Sequence, residues 1–145
     1  MSTPREIRRL AFQTLFQLDA RAGRNADDVR AGMSAADGFS DQDREKAFTL
    51  AKAAFDGRAI ADKFMLELAP TWPAHRQAAV DRAILRLAHY EMMVARTPPQ
   101  IVVNEAVELA KEFSTDKSPA FVNGLLDKVL KKVLSEPAAA PASDP

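Results

Sequence analysis

The residues best suited to chemistry in this chain are cations set beside aromatics. Arg5, Arg8 and Arg9 fall close together at the start of a predicted helix. Near the other end, Phe121-Val122-Asn123-Gly124-Leu125-Leu126-Asp127-Lys128 reads as a helix with an interior glycine and an aromatic on its lysine side. An interior glycine costs roughly 1 kcal/mol against alanine, so a chain that keeps one usually needs a backbone or a ligand to come close there. Helical periodicity puts Phe121, Lys128 and Lys132 on one flank beside Gly124 and Lys131, and turns Val122, Leu126, Val129 and Val133 inward. Guanidinium and ammonium groups hold phosphate and an exposed ring stacks on a base, so the chemistry on offer is single-stranded nucleic-acid binding. The other role open to Phe121 is to close the core at the helix start.

Catalytic chemistry finds little footing. The chain has no cysteine, hence no disulfide, thiolate metal site or cysteine nucleophile. His75 and His89 lie in separate segments, without His–acid metal spacing or a glycine-rich phosphate loop. The sequence therefore predicts neither an enzyme nor a cofactor or metal. Glu91 sits at the centre of an apolar face formed by Val80, Ala83, Ile84, Leu87 and Val94. A buried carboxylate must be paired or its pKa rises, and Glu91 is expected to be a structural acid tied to an arginine or to backbone amides of a neighbouring helix.

Twenty basic side chains balance twenty acidic ones, so bulk charge does not hold a polyanion here. The charge is uneven, however. Residues 1–24 carry five arginines against two acids, and residues 25–50 carry three basic groups against six acids. A nucleic-acid site would be a local patch, built from the first helix and the cluster Lys128, Lys131 and Lys132. There is no signal-like apolar segment after Met1, nor a run long enough to span a membrane. With the missing cysteines, this leads to the expectation of a cytoplasmic protein.

The elements that must position these groups all read as helices, since no segment alternates apolar and polar residues for long enough to argue a strand. Pro4 opens a first helix running to about Ala22, with Gly23 and Asn25 as stop residues. An acidic, weakly apolar stretch follows from Asp27 to Gly38. Ser40 with Asp43 resembles a capping box for one long helix that Gly57 bends and Pro70 ends. Thr71-Trp72-Pro73 is a turn and the seam between two halves. Further helices are expected from about Ala78 to Ala95 and from Ile101 to near Ser114, and a last one to near Leu134, with Ser118 as N-cap and Pro119 at its first position. The expected domain spans 1–136, with sub-bundles at about 4–70 and 73–134. The Pro/Ala tail 137–145 has nothing to bury and is expected to be disordered.

Facial patterns suggest other contacts. In the first helix, Ile7, Leu10, Ala11, Thr14 and Leu18 share one side, and Phe12 and Phe16 lie opposite with Arg5 and Arg9. Arg82, Arg86, His89 and Arg96 form the face opposite Glu91, read as solvated or as a docking surface. Glu105, Glu108 and Glu112 face outward with Asn104 and Lys111, read as plainly solvated or as suited to a basic protein partner. Glu108 and Glu112 make a mildly unfavourable like-charge pair.

Three segments read together: Val80-Asp-Arg-Ala-Ile-Leu-Arg-Leu-Ala-His-Tyr-Glu91, Val103-Asn-Glu-Ala-Val-Glu-Leu-Ala-Lys111 and Phe121-Val-Asn-Gly-Leu-Leu-Asp-Lys128. In this order and spacing, with Arg8-Arg9 and Ala11-Phe-Gln-Thr-Leu-Phe-Gln-Leu-Asp19 ahead of them, they resemble the NusB transcription antitermination family over about residues 5–134. The resemblance implies an all-α fold of two small helical bundles sharing a long first helix. It implies binding of single-stranded boxA-type RNA from rRNA operon transcripts, together with NusE, in an RNA polymerase antitermination complex. It places RNA against the first helix and the start of the last, hence Arg5, Arg8, Arg9, Phe121, Gly124, Lys128 and Lys132. Arg82, Arg86, Glu105, Glu108 and Glu112 are the candidates for partner docking. Three positions depart from the family's pattern: Glu6 interrupts the arginine cluster, Arg9 stands where an acid is common, and Lys117 stands in an often acidic loop. Phe12, Met92 and Met93 are left among three roles: core, homodimer contact or NusE interface. Reversing Arg8 and Arg9 to glutamate is expected to abolish RNA binding without unfolding the protein. The competing hypothesis is a helical protein–protein adaptor with little RNA affinity of its own.

Overall fold

Thr3 and Glu6 close a reciprocal capping box around Pro4, and the first helix, α1, runs Pro4–Ala20. The Glu6 amide donates to Thr3 Oγ1 at 3.1 Å, and the Thr3 amide donates to Glu6 Oε1 at 2.8 Å. These two bonds satisfy donors that a helix start otherwise leaves unpaired. The hydrogen bond from the Thr3 amide also holds the Glu6 carboxyl below its ordinary pKa. The acid that interrupts the arginine cluster is therefore a cap. The computed structural model describes residues 3–33 and 38–135, so the tail 137–145 lies outside the described residues.

α1 ends where Ala22, Gly23 and Asn25 take positive φ, with the Gly23 amide bonded to Leu18 O at 2.9 Å. A Cβ on Gly23 would stand 2.7 Å from the Phe55 ring, so both the backbone conformation and the close approach require glycine. The acidic stretch that follows forms a short helix, α2 (Ala26–Met33), which buries Val29 and Met33. Ser40 caps α3 (Asp41–Asp56), accepting from the Asp43 amide at 3.1 Å. The single long helix expected up to Pro70 is instead two. Gly57 ends α3 and begins α4 (Arg58–Leu68), because its backbone leaves helical geometry while its amide still reaches Ala53 O at 3.1 Å.

A 3-10 turn at Ala74–Arg76 leads to α5 (Ala79–Met93), then α6 (Pro99–Phe113) and α7 (Ser118–Ser135). The described residues contain helices and no strands. α1 packs on α2, α3 and α5; α6 packs on α5 and α7; α4 lies against α3, α5 and α7. One continuous apolar cluster joins them, with Leu15, Leu18, Ile84, Leu87, Val122 and Leu126 fully enclosed. Phe12, with 2% of its surface exposed, belongs to this core, and its ring lies 5.1 Å from that of Phe113. Met92 is buried and Met93 half-buried against the same cluster.

Ser118 differs from its expected role. It lies inside α7 as the helix's first residue, and its hydroxyl donates to Asp81 Oδ2 at 2.9 Å. Ser114 Oγ donates to Asp81 Oδ1 at 2.7 Å. A buried carboxylate of α5 thus holds the α6–α7 connection at both ends and sets where α7 begins. Asp81→Ala would leave two hydroxyls without their acceptor. It is expected to cost about 1–3 kcal/mol, seen as a lower urea midpoint with an unchanged m value.

Candidate nucleic-acid interface

The three arginines of α1 all turn toward acids on α5 and α6. Arg5, with 68% of its side chain exposed, grips Glu105 with Nη2 at 2.7 Å from Oε2 and Nε at 3.0 Å from Oε1. Arg8 has only 12% of its side chain exposed. Its Nε donates to both oxygens of Glu91, at 2.8 and 3.0 Å, and its Nη1 lies 3.5 Å from Glu105. Arg9 pairs with Glu112 and places its guanidinium 5.4 Å from the centre of the Phe113 ring. Glu91 is therefore the buried, arginine-tied acid that its position on an apolar face demands. Burial pushes its carboxyl above the ordinary value, and the Arg8 charge opposes that rise.

Cations assigned to RNA and acids assigned to a protein partner thus satisfy one another. They line a cleft of about 350 Å³ between α1 and α6. The pairs are not equivalent, however. The Arg9–Glu112 pair lies in solvent on both sides, and Arg5 reaches from solvent to a Glu105 that is only 12% exposed and stays beside Arg8, so the outer guanidiniums can exchange a glutamate for a phosphate. The buried Arg8–Glu91 pair does not exchange, since breaking it strands a charge. Arg8→Glu would set a third carboxylate against Glu91 and Glu105, so the expectation of a folded Arg8/Arg9 double reversal is corrected. Glu108, half-exposed, reaches Lys111 at 3.2 Å.

The face opposite Glu91 is not solvated. Arg86, at 9% side-chain exposure, spans Asp19 (2.6 Å) and Asp62 (2.6 Å). Arg82 binds Asp19 at 3.0 Å and donates to Ala74 O at 3.2 Å. His89 lies buried with its ring 5.3 Å from Phe64, and burial lowers its pKa. Periodicity alone does not show this, because the face is covered by α4, a separate helix only once Gly57 breaks the chain. Arg96 does stay exposed, in the connection after α5.

On α7, Phe121 keeps 39% of its surface exposed. Its ring stacks on Trp72 with centroids 3.4 Å apart and planes 31° from parallel. Reading the 71–73 segment only as a turn missed this contact; the signal was the chain's sole tryptophan placed in a connection. Gly124 is exposed, and a Cβ there would meet nothing within 4 Å. No packing among the described residues accounts for this glycine. Lys128 is exposed with no ion-pair partner among the described residues. Lys132 lies 5.0 Å from the Phe64 ring and 3.9 Å from Glu67, and Lys131 pairs with Asp127 at 3.1 Å. Arg5 also lines a second hollow, about 460 Å³, with Asn104, Pro119 and Asn123, so α1 and the start of α7 border one surface.

The model of the NusB family matches residues 5–131. The chain belongs to the NusB family. The transcription antitermination protein NusB of Herpetosiphon aurantiacus is 38% identical over 134 residues, covering 90% of this chain and 91% of that protein. Among solved structures, T. maritima NusB aligns with TM-score 0.79 at 29% identity, over 91% of this chain and 94% of that one. A chain in a structure described as a plectonemic RNA supercoil aligns with TM-score 0.82 at 25% identity, over 93% of this chain and 99% of that one. As in NusB structures, the described fold is entirely helical. No helix among the described residues is long and apolar enough to cross a membrane.

Arg8→Ala is expected to cost about 3–5 kcal/mol of stability, because it leaves Glu91 buried and unpaired. Arg9→Ala is expected to cost less than about 1 kcal/mol in the same denaturation assay. Glu91 also predicts a pH signature. Its folded pKa lies above its ordinary 4.5, so it takes up a proton more readily when folded. Its contribution to stability is full below about pH 4.5 and is lost as pH rises through the folded value. The stability advantage of the parent over Glu91→Gln should therefore shrink across that window in paired thermal melts.

Proposed function

We propose that this protein is a non-enzymatic, cytoplasmic antitermination factor. It binds single-stranded boxA-type RNA of rRNA operon transcripts together with NusE, as part of an RNA polymerase antitermination complex, and promotes processive rRNA transcription. The observation that carries this reading is the flank of α7. There an exposed ring, an open stretch of helix at Gly124 and a lysine at position 128 without an ion-pair partner among the described residues follow one another. Aromatic stacking holds a base and ammonium groups hold phosphate without demanding sequence. Arg5 and Arg9 add charge by exchanging a glutamate for a phosphate, with Glu105 still beside Arg8, while Arg8 supports α1. A modest patch of this size gains affinity when a bound partner extends it, which gives NusE its place.

A second reading, a protein–protein adaptor with little RNA affinity, is favoured by the Arg5–Glu105 and Arg9–Glu112 pairs that neutralise α1. The two readings part on salt. Binding through phosphates weakens steeply with salt, whereas an adaptor shows little RNA binding and almost no salt dependence. Fluorescence anisotropy with a boxA-type RNA and a scrambled control, with and without NusE at two salt concentrations, decides between them.

Gly124 supplies a sharper check. A side chain there meets open space, so Gly124→Leu should stabilise the helix by about 0.5–1 kcal/mol. The same variant should bind the RNA more weakly, because its side chain stands in the strand's path. A stabilised variant with unchanged RNA affinity would remove Gly124 from the interface.

A further inference from the structure

The cations of α1 are engaged by glutamates, so a strand seeking phosphate contacts must compete for them. Arg76 and Lys128 face no such competition. Both are exposed, and neither has an ion-pair partner among the described residues. They belong to the two segments that the Trp72–Phe121 stack brings together: the turn before α5 and the first half of α7.

We propose that the 71–76 turn is a second wall of the single-stranded RNA site, in which Trp72 and Phe121 form a joint stacking platform and Arg76 holds a phosphate of the strand. The inference rests on the RNA-binding reading above and extends its footprint from α7 to the joint between α4 and α5. The turn is built to hold the indole still. The Trp72 amide donates to Ala69 O at 3.0 Å. Its carbonyl accepts from Gln77 Nε2 at 3.1 Å, and Gln77 is itself buried. Pro73 follows and restricts the backbone. A platform ordered in advance loses little freedom when a base settles on it. The half-buried indole packs against the core with one part and supports the exposed Phe121 ring with another. Trp72 covers one face of the Phe121 ring, so a base stacks on the outer face of a ring that is already held in place. Arg76, four residues after Trp72, supplies charge on the same turn, exposed and with no ion-pair partner among the described residues.

The test uses the full chain and a fluorescein-labelled boxA-type single-stranded RNA. Trp72 is the only tryptophan, so intrinsic emission reports on this position alone. Unlabelled RNA should quench that emission. Trp72→Leu should weaken binding by roughly 5- to 100-fold, the range that loss of one base-stacking contact gives, and Trp72→Phe should restore most of it. Arg76→Gln, a surface change that leaves folding intact, should lower the slope of log affinity against log salt by about 0.7. A purely structural role for the turn would not move that slope. Unchanged emission and an unchanged Arg76→Gln slope, with Phe121→Ala still weakening binding, would overturn the inference and leave the RNA reading standing. A folded parent protein that binds no RNA would overturn both.

Discussion

The crossing of α1 and α5 is held by ion pairs at both ends. Arg8 meets Glu91 near one end, and Asp19 meets Arg82 and Arg86 near the other. Low numbers on α1 pair with high numbers on α5, so the helices run antiparallel. Between the clasps Leu15, Leu18, Ile84 and Leu87 are enclosed. Apolar contact supplies most of the attraction but specifies register weakly, since one leucine fits about where another does. A buried charge tolerates no such slip, because a shift leaves it unpaired at a cost of several kcal/mol. Desolvation consumes much of what each pair gains, so the effect of the clasps lies in register more than in stability.

That register places everything else. Asp62 reaches Arg86 only when α4 lies across α5, and the break at Gly57 lets α4 turn there. α4 in turn stands beside α7, where Phe64 meets Lys132. Asp81, on the same α5, holds Ser114 and Ser118 and so sets the start of α7. Phe121 and Trp72 come together as a consequence, from segments about fifty residues apart. The aromatic surface is thus positioned by polar contacts that do not belong to it.

The charge pattern has a similar logic. A cluster of arginines looks like a free positive patch in one dimension. In three dimensions it is graded: Arg8 is held by a buried carboxylate, Arg5 by the half-buried Glu105, Arg9 by the exposed Glu112, and Arg76 and Lys128 by no ion-pair partner among the described residues. Composition makes the net charge zero, yet exchangeable charge survives where solvent screens the pairs.

Helical class, the buried state of Glu91 and the inward faces of α1, α6 and α7 were legible in the sequence, because each depends on periodicity within one element. So was the family resemblance, carried by residues kept in order along the chain. The split of α3 from α4 was harder to read, since glycine permits a bend or a break and packing chooses between them. Which face of α5 is covered by α4 is beyond local reading, so periodicity leaves Arg82, Arg86 and His89 on a face that is either solvated or a docking surface. The pairing of α1 arginines with α6 glutamates was equally hidden, as was the meeting of Trp72 with Phe121. The sequence by itself determined which faces are apolar and which residues carry charge. Only tertiary structure decided which charges neutralise one another and which remain for a ligand, because an ion pair or a ring stack requires two distant segments within a few ångströms, and local periodicity holds no information about that distance.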